Sequence, residues 1–360
     1  TFKPLPKLEL QAGLVYTQSH QTRNSPGGFG ELIPGGGKNR LYPYAQLADE
    51  AGNPLALEKD YRGTFTDTAG AGYLLDWKYR PLEERQHLDV STRLQDWVLK
   101  GGARYQFTPA LKAELRYQYQ QGNATDRTYH SLQTYYARNL INRYTSLDGT
   151  SPVYHLPLGG ILDRIENEQA ASSMRGQVQY QDSWGQHELS LLAGAERRWS
   201  TAAYQGSRTY GYDDGLLTFA NVDFVNTYPL YGNLGGAMPL PNNASFGSLD
   251  NRFLSFYGNS AYTYADRYTV SASARKDASN LFGVRTNQKW TPLWSAGLSW
   301  KVSGERFYPF SFLPHLKLRA SYGYSGNTDL SGASYTIIAY SQGAMFTYLP
   351  YADIISPPNP

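Results

Sequence analysis

One short segment of the chain, residues 111–119, alternates strictly between two kinds of side chain. Apolar residues take the odd positions and polar or charged residues the even ones: Leu111, Ala113, Leu115, Tyr117 and Tyr119 against Lys112, Glu114, Arg116 and Gln118. Successive side chains of a β-strand point to opposite faces. The segment therefore predicts a strand with one apolar face and one charged face.

The same alternation recurs along the chain, and the connections between the runs differ greatly in length. We count nine runs: 7–16, 99–107, 111–119, 174–180, 188–196, 252–264, 268–274, 294–302 and 316–324. Each approaches the ~9–11 residues that a tilted transmembrane strand needs. Short turns at one end and long loops at the other are typical of an outer-membrane barrel, with lipid outside and water inside. We therefore predict an all-β fold, a segment of a transmembrane antiparallel β-barrel with short periplasmic turns and long extracellular loops.

A soluble β-sandwich is the alternative, because its strands also alternate. Two features favour the barrel. Sandwich connections do not alternate so regularly between short and long. Charged residues also lie at strand centres, as in Glu114 with Arg116 and Lys317 with Arg319, which a water-filled lumen explains.

Composition excludes several classes of protein. Lys and Arg number 33 against 30 Asp and Glu, so the net charge of +3 gives no reason to expect a nucleic-acid partner. The 31 Tyr and seven Trp suit a membrane interface, where one end of the side chain is dry and the other wet. There is no apolar run long enough for a transmembrane helix. Residue 1 lies within a patterned region, so we expect the chain to begin after its targeting segment.

One part of the chain departs from alternation. Leu132, Tyr136 and Leu140 are spaced four residues apart within the second long connection. This spacing predicts a short helix within residues 129–144.

The alternation also assigns faces to individual side chains. We expect Val270, Ala272 and Ala274 to meet lipid, and Thr269, Ser271 and Ser273 to face the interior, because a one-residue slip would move every polar group into hydrocarbon. The predicted lumen-lining residues are Arg104, Arg116, Arg175, Glu188, Arg275 and Lys317.

The turns carry a second pattern. Aromatic residues stand next to the short connections: Phe107, Trp184, Tyr264 and Phe307. A transmembrane barrel has a girdle of such residues at each interface, so these four predict the periplasmic girdle, with ordinary strand-end packing as the alternative.

The third long loop contains the candidate ligand-contacting residues Tyr210, Tyr212, Asp213 and Asp214. The tyrosine rings could stack on a sugar, and the paired carboxylates could hold Ca²⁺, with a plain β-turn as the alternative. The six His residues do not show metal-ligand spacing, and no nucleophile motif is present. We therefore expect no catalytic residues, no metal site elsewhere and no cofactor.

Several segments resemble the SusC/RagA-type TonB-dependent outer-membrane transporters. The similarity is strongest in the hairpin 256–282 and in 294–300, 316–323 and Gly326-Asn327. Upstream, the similar segments are 42–44, 52–55, 60–62, 74–77 and 80–82. Together they extend over roughly residues 1–200 and 252–360. Ala278 departs from the family, which usually has Gly there, so we expect the local turn type to differ.

The resemblance implies a specific architecture and set of partners. Residues 1–360 would be the N-terminal portion of a 22-stranded barrel domain, with no plug domain in this chain. The family implies import of oligosaccharides or peptides across the outer membrane of a Gram-negative bacterium. It also implies a SusD-type surface lipoprotein as a lid and energy from TonB through an N-terminal region absent here. A passive barrel or an adhesin that displays ligand-binding loops is the alternative.

Overall fold

The computed structural model describes residues 1–24, 41–42, 44–149, 151–280, 290–310, 312–326, 337–341 and 349–355. Parts of the segments that carry the family resemblance, at residues 43, 281–282 and 327, lie outside these ranges. No helix in the described ranges is long and apolar enough to cross a membrane.

Strands make up most of the described chain. They are β1 Phe2–Leu5, β2 Leu8–Arg23, β3 Leu88–Gln106, β4 Leu111–His130, β5 Thr145–Asp148, β6 Ser151–Tyr154, β7 Gly160–Trp184, β8 His187–Asp213, β9 Thr218–Ala220, β10 Thr227–Pro229, β11 Ala237–Pro239, β12 Ser245–Tyr264, β13 Tyr268–Ser279, β14 Trp290–Lys301, β15 Lys317–Tyr324, β16 Ile337–Ser341 and β17 Tyr351–Ile355. The helices are α1 Gly63–Thr68, α2 Pro81–His87 and α3 Tyr135–Arg143, with single 3₁₀ turns at Ala69–Gly72, Tyr231–Asn233 and Val302–Gly304.

One antiparallel sheet holds the long strands in the order β1-β2-β3-β4-β7-β8-β12-β13-β14-β15, with β9 added beside β8. The other strands form three separate two-stranded hairpins, β5–β6, β10–β11 and β16–β17. Each of the nine predicted runs lies mostly or wholly in one of the nine long strands from β2 to β15. The predicted antiparallel barrel segment, with strands paired in sequence order, is confirmed.

The strands are longer than the alternation indicated. β7 has 25 residues and β8 has 27, and their pairing continues from Trp184 opposite His187 up to Ile161 opposite Tyr210. The predicted length was therefore wrong for the central strands. Backbone hydrogen bonds continue the ladder beyond the bilayer, whereas the apolar–polar contrast ends where the lipid ends. Ala278 likewise lies inside β13 opposite Leu254, so the departure from the family falls in a strand and not in a turn.

The sheet has one apolar and one polar face. Val270 lies opposite Tyr262 and Leu298, whereas its neighbour Ser271 lies opposite Ala261 and Gly297. Val270 and Leu298 are 54% and 63% exposed, because no part of the described chain covers this face. A continuous exposed apolar wall of this kind requires an apolar medium, which agrees with the predicted lipid contact.

Turn geometry differs at the two ends of the sheet. The short connections are 6–7, 107–110, 185–186 and 265–267, and the fifth connection at this end, 302–316, is longer. Ala265 and Asp266 both have φ near +54°, in the left-handed region that a tight hairpin requires at its two central positions. The long connections 24–87, 131–159 and 214–244 all leave from the opposite end.

The predicted helix exists, but it begins later than the pattern indicated. β4 continues to His130, and α3 begins at Tyr135, where the Thr134 side chain accepts a hydrogen bond from the Ala137 backbone N–H (3.2 Å). Its buried face is formed by Ala137, Leu140 and Ile141. This face packs into the main hydrophobic core, together with residues of the long loops and the upper strand ends: Tyr144, Leu156, Ile161, Tyr210, Leu230 and Leu240. The core therefore lies at the long-loop end of the sheet.

Candidate functional site

The polar face carries a network of ion pairs. Arg104 lies between two carboxylates, with Nη2 3.5 Å from Glu114 Oε2 and Nη1 3.7 Å from Glu9 Oε2. Glu114 also pairs with Arg116 on its own strand. Because these charges come from three neighbouring strands, the network spans the wall from β2 to β4.

Arg175 lies apart from this network. It stands directly opposite Arg116 on one side and Glu196 on the other. Glu196 pairs instead with Arg198 at 2.5 Å, and no carboxylate among the described residues lies within ion-pair distance of Arg175. Like charges directly opposite each other are unfavourable. The wall therefore presents Arg175 without an ion pair beside a depression of about 590 Å³ that is also lined by Lys100, Arg116 and Glu196.

The remaining predicted lumen residues lie on the same face. Arg275 Nε pairs with Asp277 at 2.9 Å, and its Nη2 donates to Ser255 Oγ at 3.2 Å. Glu188 and Lys317 lie near the short-turn end, opposite Thr263 and Lys301. The register thus brings all six predicted residues to one wall, although Glu188 and Lys317 are distant from the Arg116–Arg175 depression.

Gly194 lets an aromatic ring lie flat on this wall. The Tyr257 ring covers it and donates its hydroxyl to Gln177 Oε1 at 3.2 Å. A Cβ at position 194 would stand 2.6 Å from Tyr257 Cζ and 2.9 Å from the Gly176 carbonyl oxygen. Only glycine leaves enough space for this ring.

At the other end of the sheet, the long loops fold into a compact cap, which we define as residues 44–87, 131–149, 151–159 and 214–244. Polar side chains of α3 hold the loop segment 75–78. Asn142 accepts from the Leu75 N–H (2.9 Å) and donates to the Leu75 carbonyl (2.8 Å), and Asn139 accepts from Trp77 Nε1 (2.9 Å). Arg138 donates to the backbone carbonyls of residues 76 and 78. The loop therefore has a defined conformation relative to the helix.

A buried carboxylate joins two helices of the cap. Glu84 on α2 accepts a hydrogen bond from the Tyr135 N–H at the start of α3, at 2.7 Å. Burial raises the pKa of the Glu84 carboxyl above its ordinary value. The Tyr135 hydroxyl in turn donates to the Lys59 carbonyl (2.9 Å) and to Asp60 Oδ2 (3.0 Å), and burial raises its pKa as well.

The cap contains a second hydrophobic core, formed mainly by aromatic rings around the buried residues Leu57, Trp77, Tyr79 and Tyr135. Trp77 is in ring contact with Tyr61, Phe65 and Tyr231 at centroid distances of 5.1, 5.6 and 6.0 Å. Nearby, burial and then the charge of Glu84 raise the pKa of Tyr79 to about 12, so its hydroxyl stays protonated at neutral pH. The sequence patterns did not predict these contacts, because they join segments far apart in the chain. The only local sequence signal in this region was Thr134, a residue type that favours the N-terminus of a helix.

The four candidate loop residues have structural partners. Tyr210 is 2% exposed and donates to the Pro241 carbonyl at 2.7 Å, so its ring is inside the core. Asp213 Oδ1 accepts from two backbone N–H groups of the following turn, at 2.9 Å each. Asp214 pairs with Arg127 at 2.6 Å and accepts from Tyr212 at 3.3 Å. This is the geometry of the β-turn alternative. Among the described residues there is no cluster of three or more His, Asp or Glu side chains suited to a metal ion, and ligand contact by these residues stays a prediction.

The predicted aromatic girdle lies at the short-turn end. Trp184 stacks on His187 at 5.7 Å, and His187 is 5.2 Å from the Tyr264 ring. Phe107 contacts Tyr105 at 4.8 Å, and Phe307 contacts Trp300 at 6.2 Å. The rings are partly exposed and lie next to the turns, as a girdle requires.

Known proteins share both this fold and part of the sequence. TonB-dependent receptor P26 of Formosa agariphila is 28% identical over 188 residues, which are 52% of this chain and 18% of that receptor. TonB-dependent receptor P39 of the same organism is 37% identical over 162 residues, which are 44% of this chain and 14% of the receptor. No model of a known protein family matches the chain.

The solved structures extend the likeness to nearly the whole chain. The structure of the RagAB peptide transporter matches 99% of this chain and 35% of its own, with a TM-score of 0.66 and 16% identity. The RagAB peptide importer in the closed-closed state matches 98%, with a TM-score of 0.68. The resemblance to the SusC/RagA-type TonB-dependent transporters is confirmed. These relatives are receptors and transporters and not enzymes, and this chain spans less than a fifth of the two receptors compared above.

Proposed function

We propose that residues 1–360 form part of the barrel domain of a TonB-dependent transporter that imports oligosaccharides or peptides across the outer membrane of a Gram-negative bacterium. The observation that carries this proposal is the sheet with one apolar and one charged face. Charged side chains such as Arg175 and Arg275 are costly inside a protein unless they meet water or a polar partner. A wide lumen with polar contents satisfies them.

The cap supports a further part of the proposal, namely that a partner protein binds the outer surface of the barrel. It is a folded unit with its own aromatic core and carries many side chains exposed to solvent. A rigid surface of this kind suits docking of a second protein, since little loop ordering is needed on binding. We propose a SusD-type surface lipoprotein as that protein, and TonB as the energy source acting through a region outside this chain. The aromatic residues suit sugars and peptides alike.

Uptake by cells separates this proposal from its alternative. The test uses a strain that lacks the full-length gene and the same strain complemented with it, supplied with labelled oligosaccharides or peptides. We expect the complemented strain alone to accumulate label, and an uncoupler of the proton motive force to abolish accumulation. Accumulation that persists with the uncoupler would indicate a passive barrel. Loss of surface attachment without any change in accumulation would indicate an adhesin.

The lumen assignment has a separate test with a matched control. These 360 residues contain no cysteine, and once any cysteine elsewhere in the full-length protein is replaced by serine, single cysteines can be placed at the neighbouring positions Arg175 and Met174, which lie on opposite faces. In the full-length protein folded into lipid vesicles, we expect a water-soluble maleimide to label Arg175→Cys and to leave Met174→Cys unlabelled. The reverse result would place the charged wall outside.

A further inference from the structure

The connection between β14 and β15 differs from the other short-turn connections. It runs from residue 302 to 316, and residues 307–314 of this connection contain no charged side chain. Phe307, Phe310, Phe312 and Leu313 are all exposed, and Phe312 is 81% exposed. Exposed apolar side chains in such a group are typical of an interaction surface.

Glu305 holds this connection against the outer face of the barrel. Its carboxylate accepts hydrogen bonds from Tyr268 OH (2.5 Å) and Trp300 Nε1 (3.0 Å), and it pairs with Arg267 Nη1 at 2.9 Å. Tyr268 and Trp300 lie opposite each other in the same row as Tyr264, on the lipid side of the sheet. The connection therefore folds outward over the lipid face and not beneath the lumen.

The connection is also braced internally. The Tyr308 hydroxyl donates to the Leu313 carbonyl at 2.7 Å, and the Tyr308 N–H donates to the Glu305 carbonyl at 3.1 Å. These bonds satisfy backbone and side-chain groups that would be costly to bury in a dry medium.

We propose that residues 305–310, 312 and 313 form an interfacial anchor that inserts Phe310, Phe312 and Leu313 into the headgroup–acyl boundary of the periplasmic leaflet. We infer lipid as the binding partner because the anchor is continuous with the lipid-facing wall. Phe307 contacts Trp300, which belongs to the aromatic row bordering the lipid-facing wall. Arg306 is exposed beside this apolar group and can reach lipid phosphate. This anchor depends on barrel insertion and not on the imported ligand.

The test measures the environment of a nitroxide spin label attached to Phe312→Cys in the full-length protein, reconstituted in phospholipid vesicles. The readout is the ratio of collisions with oxygen to collisions with a water-soluble nickel chelate. Val270→Cys is the lipid reference, and Leu216→Cys, exposed at the long-loop end, is the water reference. We expect the ratio at Phe312 to be shifted toward that at Val270.

A second pair of variants tests the role of Glu305. In the Phe312→Cys background, Glu305→Ala should move the ratio toward the water reference, because the carboxylate no longer holds the connection. Asp266→Asn is the matched control: it removes an exposed ion pair with Lys301 at the neighbouring turn and should leave the ratio unchanged.

Three results would overturn the anchor. A ratio at Phe312 equal to that at Leu216 would place the connection in water. Few collisions with either reagent would mean that a protein surface covers it. A water-like ratio at Val270 would mean that the apolar wall does not meet lipid, which would contradict both the anchor and the barrel. Failure of ligand uptake with a lipid-like reading at Phe312 would contradict the proposed import alone.

Discussion

A single arginine placed on either side of β13 should distinguish the two faces of the wall. Ala272 lies on the apolar face, opposite Ser260 and Ala296, and its neighbour Ser271 lies on the polar face, opposite Gly297. Both positions belong to the same strand and have the same depth within one residue. The variants Ala272→Arg and Ser271→Arg therefore differ in the medium that receives the charge and in little else.

The expected cost follows from depth. Ala272 is four residues beyond Tyr268 at the short-turn end, which corresponds to about 10 Å along the barrel axis at ~3.4 Å per residue and a tilt of ~40°. The apolar band of such barrels is ~25 Å tall, so Ala272 lies close to the bilayer midplane. Arginine there should lower the free energy of unfolding by roughly 2–4 kcal/mol. Ser271→Arg removes a long hydrogen bond from its hydroxyl to the Gly297 carbonyl (3.4 Å), at a cost of about 0.5–1 kcal/mol.

The measurement is reversible unfolding of the full-length protein in lipid vesicles by denaturant, followed by tryptophan fluorescence and by the gel shift of the folded barrel. The difference between the two variants should be about 2 kcal/mol or more, with Ala272→Arg the less stable. Equal costs would mean that the two sides of β13 meet the same medium. A larger cost at Ser271 would mean that the polar wall faces lipid.

Three further predictions concern glycine packing and the cap. Gly194→Ala should lower the free energy of unfolding by roughly 1–3 kcal/mol, because the added Cβ would clash with the Tyr257 ring and the Gly176 carbonyl oxygen. Gly101→Ala is the control: no atom lies within 4 Å of its added Cβ, so the free energy of unfolding should change little, and denaturant unfolding compares the two variants. Asn142→Leu should leave both backbone groups of the bonded loop residue unsatisfied, at about 1–3 kcal/mol each, and limited proteolysis should then cleave within the cap. The pKa of Glu84 is raised in the folded protein, so its contribution to stability is full below its ordinary pKa of 4.5 and is lost as the pH rises through the pKa of the folded state. Hydrogen exchange of the cap should show this pH dependence, and Glu84→Gln should abolish it.

The barrel wall could be predicted from the sequence because its environment is simple. Lipid on one side and water on the other impose a period of two on every strand, so a local pattern such as Leu111 to Tyr119 determines which face each side chain occupies. The register of the ladder then brings Arg104, Arg116 and Arg175 to one wall. The pattern could not predict that Arg175 has no ion pair, because this depends on Glu196, which lies opposite Arg175, pairing with Arg198 on its own strand.

The cap could not be predicted in the same way. Its contacts join distant segments, as when Glu84 meets Tyr135 or Tyr231 meets Trp77. The loop ends of β7 and β8 also lose the alternation, because neither of their faces meets lipid. Tyr210 illustrates the consequence. A tyrosine in a polar, glycine-containing segment suggested a ligand contact, and the pattern gave no sign that its ring lies in the hydrophobic core at the long-loop end.

The distribution of buried side chains divides the chain into two parts with different sources of stability. Within the described ranges, every buried hydrophobic residue except Val302 lies in the cap or at the adjoining ends of β7 and β8. The wall below depends on its hydrogen-bonded ladder and on lipid, whereas the cap depends on a core of the kind found in soluble proteins. Strands as long as β8 lift that core clear of the bilayer. Substitutions in the cap core can therefore alter surface recognition while the barrel remains inserted, because the two parts share a ladder and not a core.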